Sequence, residues 1–215
     1  MRARLIGWCL FVAFFATLNY ASLFSGDRPP EDVAYRWESS IFGLIAYAVF
    51  FGVVMLLTLG LNRRQFLALR RPTSWPRAAG ISALVIIAVL AIGAAVAPFG
   101  NPEQEQGLIP QRFDPDRIAQ FVAFALVVVV AAPIVEELLF RGIGYALLER
   151  FGRTTAVVLV GIAFGLMHGL VEGFPVIAAF GMGLAYLRLR TGSIYPCMLL
   201  HASFNAAGLA IGISS

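Results

Sequence analysis

The sequence predicts an all-α, polytopic membrane protein, a bundle of about seven transmembrane helices, and three observations carry that prediction. Of 215 residues, 60% are hydrophobic and only 13% are charged, whereas soluble domains are roughly 45–50% apolar. The mean hydropathy is +0.83. Apolar segments also recur along the whole chain, near the length of about 20 residues that a helix needs to cross a bilayer. Little chain is left for a soluble domain, so a single bundle is expected.

The apolar segments fall at about residues 5–24, 40–61, 79–99, 118–149, 154–170, 174–188 and 193–212, parted by polar or Gly- and Pro-containing joints. The first follows a basic start, MRAR. Its length suits a retained span better than a signal-peptide core of roughly 7–15 residues. A cleaved leader ending near Ala21 is the alternative. The second and third segments are ordinary spans. The fourth is longer than a crossing requires and contains Pro133, which removes one backbone donor, is expected to kink the helix and frees local backbone groups. The fifth carries Gly161 and Gly165, a Gly-x-x-x-Gly pair that predicts a close helix–helix contact. The sixth and seventh complete the bundle.

All sixteen basic residues are arginine, and the net charge is +4. Short cytoplasmic loops collect such residues. Arg2 and Arg4, then Arg63, Arg64, Arg70, Arg71 and Arg77, then Arg150 and Arg153, then Arg188 and Arg190 fall on one side of a seven-span arrangement. Opposite lie Asp27, Glu31, Asp32, Glu38, Glu103, Glu105, Asp114, Asp116 and Glu172, with Arg28, Arg36, Arg112 and Arg117. The alternation predicts an N-terminus in the cytoplasm and a C-terminus outside. No basic face is interleaved with aromatics, which argues against nucleic acid as a partner and leaves membrane lipid. The stretch NRRQFLALRRPTSWPR reads as a topology-setting loop; an interfacial helix dipping Phe66, Leu67 and Leu69 into headgroups is the alternative. Trp8, Trp37 and Trp75 lie near segment ends, where Trp ordinarily anchors at the interface. Cys9 and Cys197 sit in apolar runs and are expected to be buried thiols.

Against this background three clusters stand out: EELLFR at 136–141, FGLMH at 164–168 and HASFN at 201–205. They contain both histidines of the chain. Ionisable groups inside a membrane are unfavourable unless paired, and mark function by default. Glu137 and Arg141 are four apart and can pair on one helix face. Glu136 points about 100° away from Glu137, so the two carboxylates should have different tasks. His201 and Asn205 share a face, and Ser203 between them faces elsewhere. Measured from the turn near Glu149 to Thr154, Glu136 and His168 stand level, each about 21 Å along its helix. A carboxylate in such a pocket can take a proton from water with a histidine as its partner, while a second histidine and an amide donate to an oxyanion. That is the minimum set for hydrolysing a peptide bond without a covalent step.

At these residues the sequence resembles the CPBP family of intramembrane proteases, the CAAX-processing and bacteriocin-processing proteins also called the Abi family. The matching motifs are Glu-Glu-x-x-x-Arg at Glu136, Glu137 and Arg141, Phe-x-x-x-His at Phe164 and His168, and His-x-x-x-Asn at His201 and Asn205. A softer match includes Phe180, Gly181, Thr191 and Gly192. The likeness covers residues 118–212, which divides the chain into three N-terminal helices with a basic loop (1–117) and a four-helix core (118–212). The resemblance implies an endopeptidase in which Glu136 and His168 activate water, His201 and Asn205 stabilise the oxyanion, and Glu137 and Arg141 form a supporting ion pair. Its substrate would be a protein or peptide, membrane-embedded or lipidated. The compact length and arginine bias look bacterial, which implies a bacterial cytoplasmic membrane.

Two versions of the chemistry stay open. Glu136, His168 and His201 would make a two-histidine, one-carboxylate zinc site. Metal-free catalysis is favoured instead, because Asn205 is a poor zinc ligand and a good oxyanion donor. A transporter or proton relay, or an immunity protein that uses these residues only to lock helices, are the rival readings.

Overall fold

The computed structural model describes residues 1–24, 30, 32–100 and 112–214. Asp27, Arg28, Glu31, Glu103 and Glu105, used above to assign sides, lie outside that set. Seven long helical rods run through the described residues: α1 (Arg2–Ser22), α2 (Trp37–Leu57), α3 (Trp75–Phe99), α4 (Pro115–Phe151), α5 (Arg153–Met167), α6 (Phe174–Thr191) and α7 (Tyr195–Gly212). No strand occurs among these residues. α1 to α4 are long and apolar enough to cross a membrane, whereas α5 is shorter and α6 and α7 do not reach that standard. The difference has a physical source, since α6 and α7 include arginines, a histidine, an asparagine and small residues among their apolar side chains.

α1, α2 and α3 turn large apolar side chains outward, among them Phe14, Phe42 and Leu90. Contiguous apolar surface of this kind matches lipid. α4 is the opposite. From Ala132 to Leu148 only Ile134 and Ala146 escape full burial, so this rod is the axis round which the bundle packs. It does not break at Pro133. The residues on either side, Val127–Ala131 and Leu138–Gly144, widen into π-helix around the α-helical turn Ala132–Glu137. Widened turns shift the backbone ladder and frequently mark functional sites.

The expected contact at Gly161 is present. A Cβ built there would stand 2.6 Å from the Met182 backbone nitrogen, and one on Gly181 would stand 3.0 Å from Gly161 Cα. α5 and α6 therefore touch backbone to backbone. α6 ends in the left-handed residue Gly192 (φ 67°), a common helix stop.

Three expectations are corrected. Leu67, offered as an interfacial side chain, is buried with Ala68, and Phe66 and Leu69 pack partly against the core. The loop is fastened to the bundle by Thr73 N–H to Thr191 O (3.1 Å), Arg70 Nε to Gly192 O (2.7 Å) and Ile194 N–H to Ala68 O (3.3 Å). Carbonyls left free at the end of α6 supply the reason. Trp8 is an interior residue, 3% exposed, whose Nε1 donates to Leu139 O at 3.0 Å. The π-helical stretch of α4 draws it inward. Trp37 and Trp75 are exposed. Cys9 is exposed on the outer face of α1, while Cys197 is buried.

At the entrance to α4, Arg117 pairs with Asp114 (2.6 Å) and Asp32 (2.9 Å), and Arg36 adds a second bond to Asp32. Arg117 first, then Arg36, holds the Asp32 carboxyl below its usual range, and Arg117 does the same for Asp114.

Gly161→Ala should lower stability by about 1–3 kcal/mol through overpacking. Thermal unfolding in detergent measures it, and an unchanged midpoint would refute the backbone contact.

Candidate active site

α4 supplies three charged groups to one place. Glu137 and Arg141 are both fully buried and pair through Oε1 and Nη1 at 2.9 Å, as their spacing predicts. A second guanidinium hydrogen goes from Nη2 to Gly181 O at 2.9 Å. The absence of a side chain on Gly181, which lets α6 approach, also brings its carbonyl into reach. The Arg141 guanidinium carbon lies 4.3 Å from the centroid of the Phe164 ring.

α7 adds His201, 3% exposed. Its Nδ1 stands 3.0 Å from Glu137 Oε1 and its Nε2 stands 3.8 Å from Glu136 Oε2. The ion pair is therefore a triad, with one carboxylate oxygen taking both Arg141 and His201. A carboxylate that accepts from Nδ1 fixes the ring plane and leaves Nε2 facing Glu136. Phe164 and Phe180 pack their rings against the imidazole at 5.6 Å each, edge to face.

Glu136 is 8% exposed and occupies a different environment from its neighbour, as the 100° offset requires. Oε1 accepts from the hydroxyl of Tyr47 on α2 at 2.7 Å. Oε2 has no hydrogen-bond partner and faces His201 Nε2. A gap of 3.8 Å is too long for a direct bond and within the span of one bridging water. Glu137 Oε2 and Arg141 Nε are also buried without partners. Buried polar atoms are seldom left unpaired, so a site with three of them is built for small polar guests.

His168 caps the end of α5 and is more exposed than the rest. Its Nδ1 lies 2.7 Å from Phe164 O. A carbonyl only accepts, so Nδ1 carries the proton and Nε2 keeps its lone pair. Glu136 and His201 are both near enough to act on it electrostatically. The His168 ring lies 4.5 Å from that of Phe164. Asn205 is half-buried and donates Nδ2 to Val128 O at 2.8 Å, a carbonyl of the first π-helical stretch of α4. Its amide was expected free for an oxyanion; one of its two hydrogens is engaged. Ser203 is exposed, turned from the site as its position round α7 requires.

The arrangement thus brings together Glu136, Glu137, Arg141 and His201 in direct sequence, with His168 across Phe164 and Asn205 one turn beyond His201. For the zinc alternative, His201 and His168 each commit Nδ1 within the protein and keep Nε2 for a ligand, the arrangement usual at metal-bound histidines, while among the described residues no group of three His, Cys, Asp or Glu stands together as metal ligands.

Sequence reasoning missed Tyr47. The available signal was a phenol amid the apolar residues of α2, whose hydroxyl needs a partner when buried. It also missed α1, where Asn19 donates to Met167 O and Tyr20 to Leu170 O (2.9 Å), holding the turn that carries His168.

Comparison with known proteins bears on the same residues. Residues 118–207 match the family described as type II CAAX prenyl endopeptidase Rce1-like, and residues 2–158 match one described as alpha/beta-hydrolase family N-terminus. A Bacillus subtilis relative described as uncharacterized protein YyaK is 32% identical over 135 residues, 57% of this chain and 42% of its own length. The chain thus spans less than half of that relative. No solved structure matches.

Arg141→Gln should destabilise the chain by about 3–5 kcal/mol, because it leaves a buried carboxylate unbalanced. Adding Glu137→Gln should recover part of the loss. Chemical unfolding of both variants tests this; equal losses in single and double variants would argue against the pair.

Proposed function

The chain belongs, through residues 118–207, to the Rce1-like type II CAAX prenyl endopeptidases within the CPBP family, and through residues 2–158 to the alpha/beta-hydrolase N-terminus family; on that premise we propose that it is an intramembrane endopeptidase. The second family's name describes a segment. Of the site's ionisable side chains, all but Tyr47 fall within the first match.

The reading rests on one observation: Glu136 is held by one oxygen and presents the other, unpaired, to His201 Nε2. Water between them gives its proton to Glu136, and the resulting hydroxide attacks a peptide carbonyl. His168 Nε2, the free lone pair nearby, shares the proton and returns it to the departing amine. In its protonated form His201 donates from Nδ1 to Glu137 and from Nε2 to the developing oxyanion. Asn205 assists with its second amide hydrogen. Glu137 and Arg141 position His201, and Tyr47 positions Glu136. No step calls on a metal. The substrate is a protein or peptide reached from the membrane, with a prenylated CAAX end as the family's own chemistry. The membrane is a bacterial cytoplasmic membrane, with the N-terminus in the cytoplasm.

Glu136→Gln should cut hydrolysis by about 10²–10⁴-fold while leaving the unfolding midpoint near wild type. Release of new peptide ends from membranes carrying either form, read by mass spectrometry beside a farnesylated CAAX peptide, is the measurement. Identical peptide sets and an uncleaved farnesyl peptide would sink the proposal. Tyr47→Phe should lower kcat about tenfold with KM unchanged, since a hydrogen bond to a charged group is worth about 1.5–3 kcal/mol. Zinc analysis and chelation of the same protein separate the two chemistries: stoichiometric zinc with activity lost on chelation would overturn the metal-free version.

A further inference from the structure

A second buried charge lies away from the carboxylates. Arg188, in the last turn of α6, is 8% exposed, and its Nε has no partner. Among the described residues it makes no ion pair closer than a stacking contact, its guanidinium carbon lying 5.3 Å from the centroid of the Tyr145 ring. Tyr145 is itself 1% exposed, and its hydroxyl is likewise without a partner. Two orphaned donors therefore stand side by side on α4 and α6.

The other polar groups facing them do not resolve this. Cys197, on α7, donates its thiol to Leu184 O. Glu149 acts on both Tyr145 and Arg188, approaching the Tyr145 hydroxyl too loosely for a well-formed hydrogen bond, and it lies at the surface with Arg153 Nε at 3.5 Å. Arg70 adds a second positive charge, and its Nε is spent on Gly192 O. Its amino groups remain for a further acceptor. A buried guanidinium with no carboxylate in direct contact is unfavourable. Arg188 and Tyr145 in contact, with the Arg70 charge near enough to act on Arg188, supply the kind of donors that phosphate oxygens accept from. The position fits as well. The C-terminal ends of α4 and α6 and the arginine-rich 62–74 loop gather at one end of the bundle, and long apolar helices bring such an end level with lipid headgroups.

We propose that Arg188, Tyr145 and Arg70 form a binding site for a phosphate group, from a lipid headgroup or from free phosphate. The site is independent of the peptidase reading. Its test is thermal unfolding of the full chain in zwitterionic detergent, with inorganic phosphate in one arm and phosphatidylglycerol or phosphatidylcholine mixed micelles in the other. The wild-type midpoint should rise by about 3–5 °C near tenfold above half-saturation. A rise with inorganic phosphate assigns the free anion; a rise with phosphatidylglycerol alone assigns the headgroup. Arg188→Met should show neither rise, and should unfold at or above the wild-type temperature before any addition, because it removes an unbalanced charge. Should that variant fail to fold, Tyr145→Phe and Arg70→Gln replace it, each expected to lose at least half of the response. No wild-type rise in either arm, or an equal rise in the variants, overturns the site.

Discussion

The arrangement turns on one carboxylate oxygen. Glu137 Oε1 accepts from Arg141 at 2.9 Å and from His201 at 3.0 Å, with all three groups essentially withdrawn from solvent. Charges removed from water need close partners, and breaking such a set is far more damaging than forming it is favourable. The triad therefore contributes placement more than stability. It fixes α7 against α4 through His201, and α6 against α4 through Arg141 and Gly181. Everything that Glu136 can do depends on that prior fixing, since His201 could not face it otherwise.

The second constraint is backbone. Widening α4 into π-helix on both sides of Pro133 shifts its carbonyls out of the ordinary ladder. The neighbours supply donors. Trp8 reaches Leu139, and Asn205 reaches Val128. Asn205 thus has a structural bond that its motif alone would not disclose. α1 and α2 are equally drawn in, through Asn19, Tyr20 and Tyr47. Helices whose outer faces meet lipid turn their few polar tips toward the core.

The helical class, the rods and the polar clusters were legible because apolar length and four-residue spacing are local properties. Glu137 and Arg141 pair for the reason that made them visible, and Gly161 packs as its pattern suggests. Tyr47, Trp8 and the docking of the 62–74 loop were not legible. Each depends on a partner about 90 or more residues away in the chain, and nothing in a local pattern states which carbonyl or carboxylate a distant tip will reach. The same limit hid His201's bond to Glu137, because spacing on α7 says nothing about its angle to α4.

Phe164 shows how packing and chemistry divide the work here. The ring is 1% exposed and touches the His168 ring at 4.5 Å, the His201 ring at 5.6 Å and the Arg141 guanidinium at 4.3 Å. It donates and accepts nothing through its ring edge that a proton could follow. It packs against both histidines and against the Arg141 guanidinium. Its backbone carbonyl meanwhile fixes the tautomer of His168. One residue thus packs against both imidazoles with its side chain and orients one of them with its main chain. An aromatic plate suits this position better than an aliphatic side chain, because its face attracts the buried guanidinium while its edge packs against a ring.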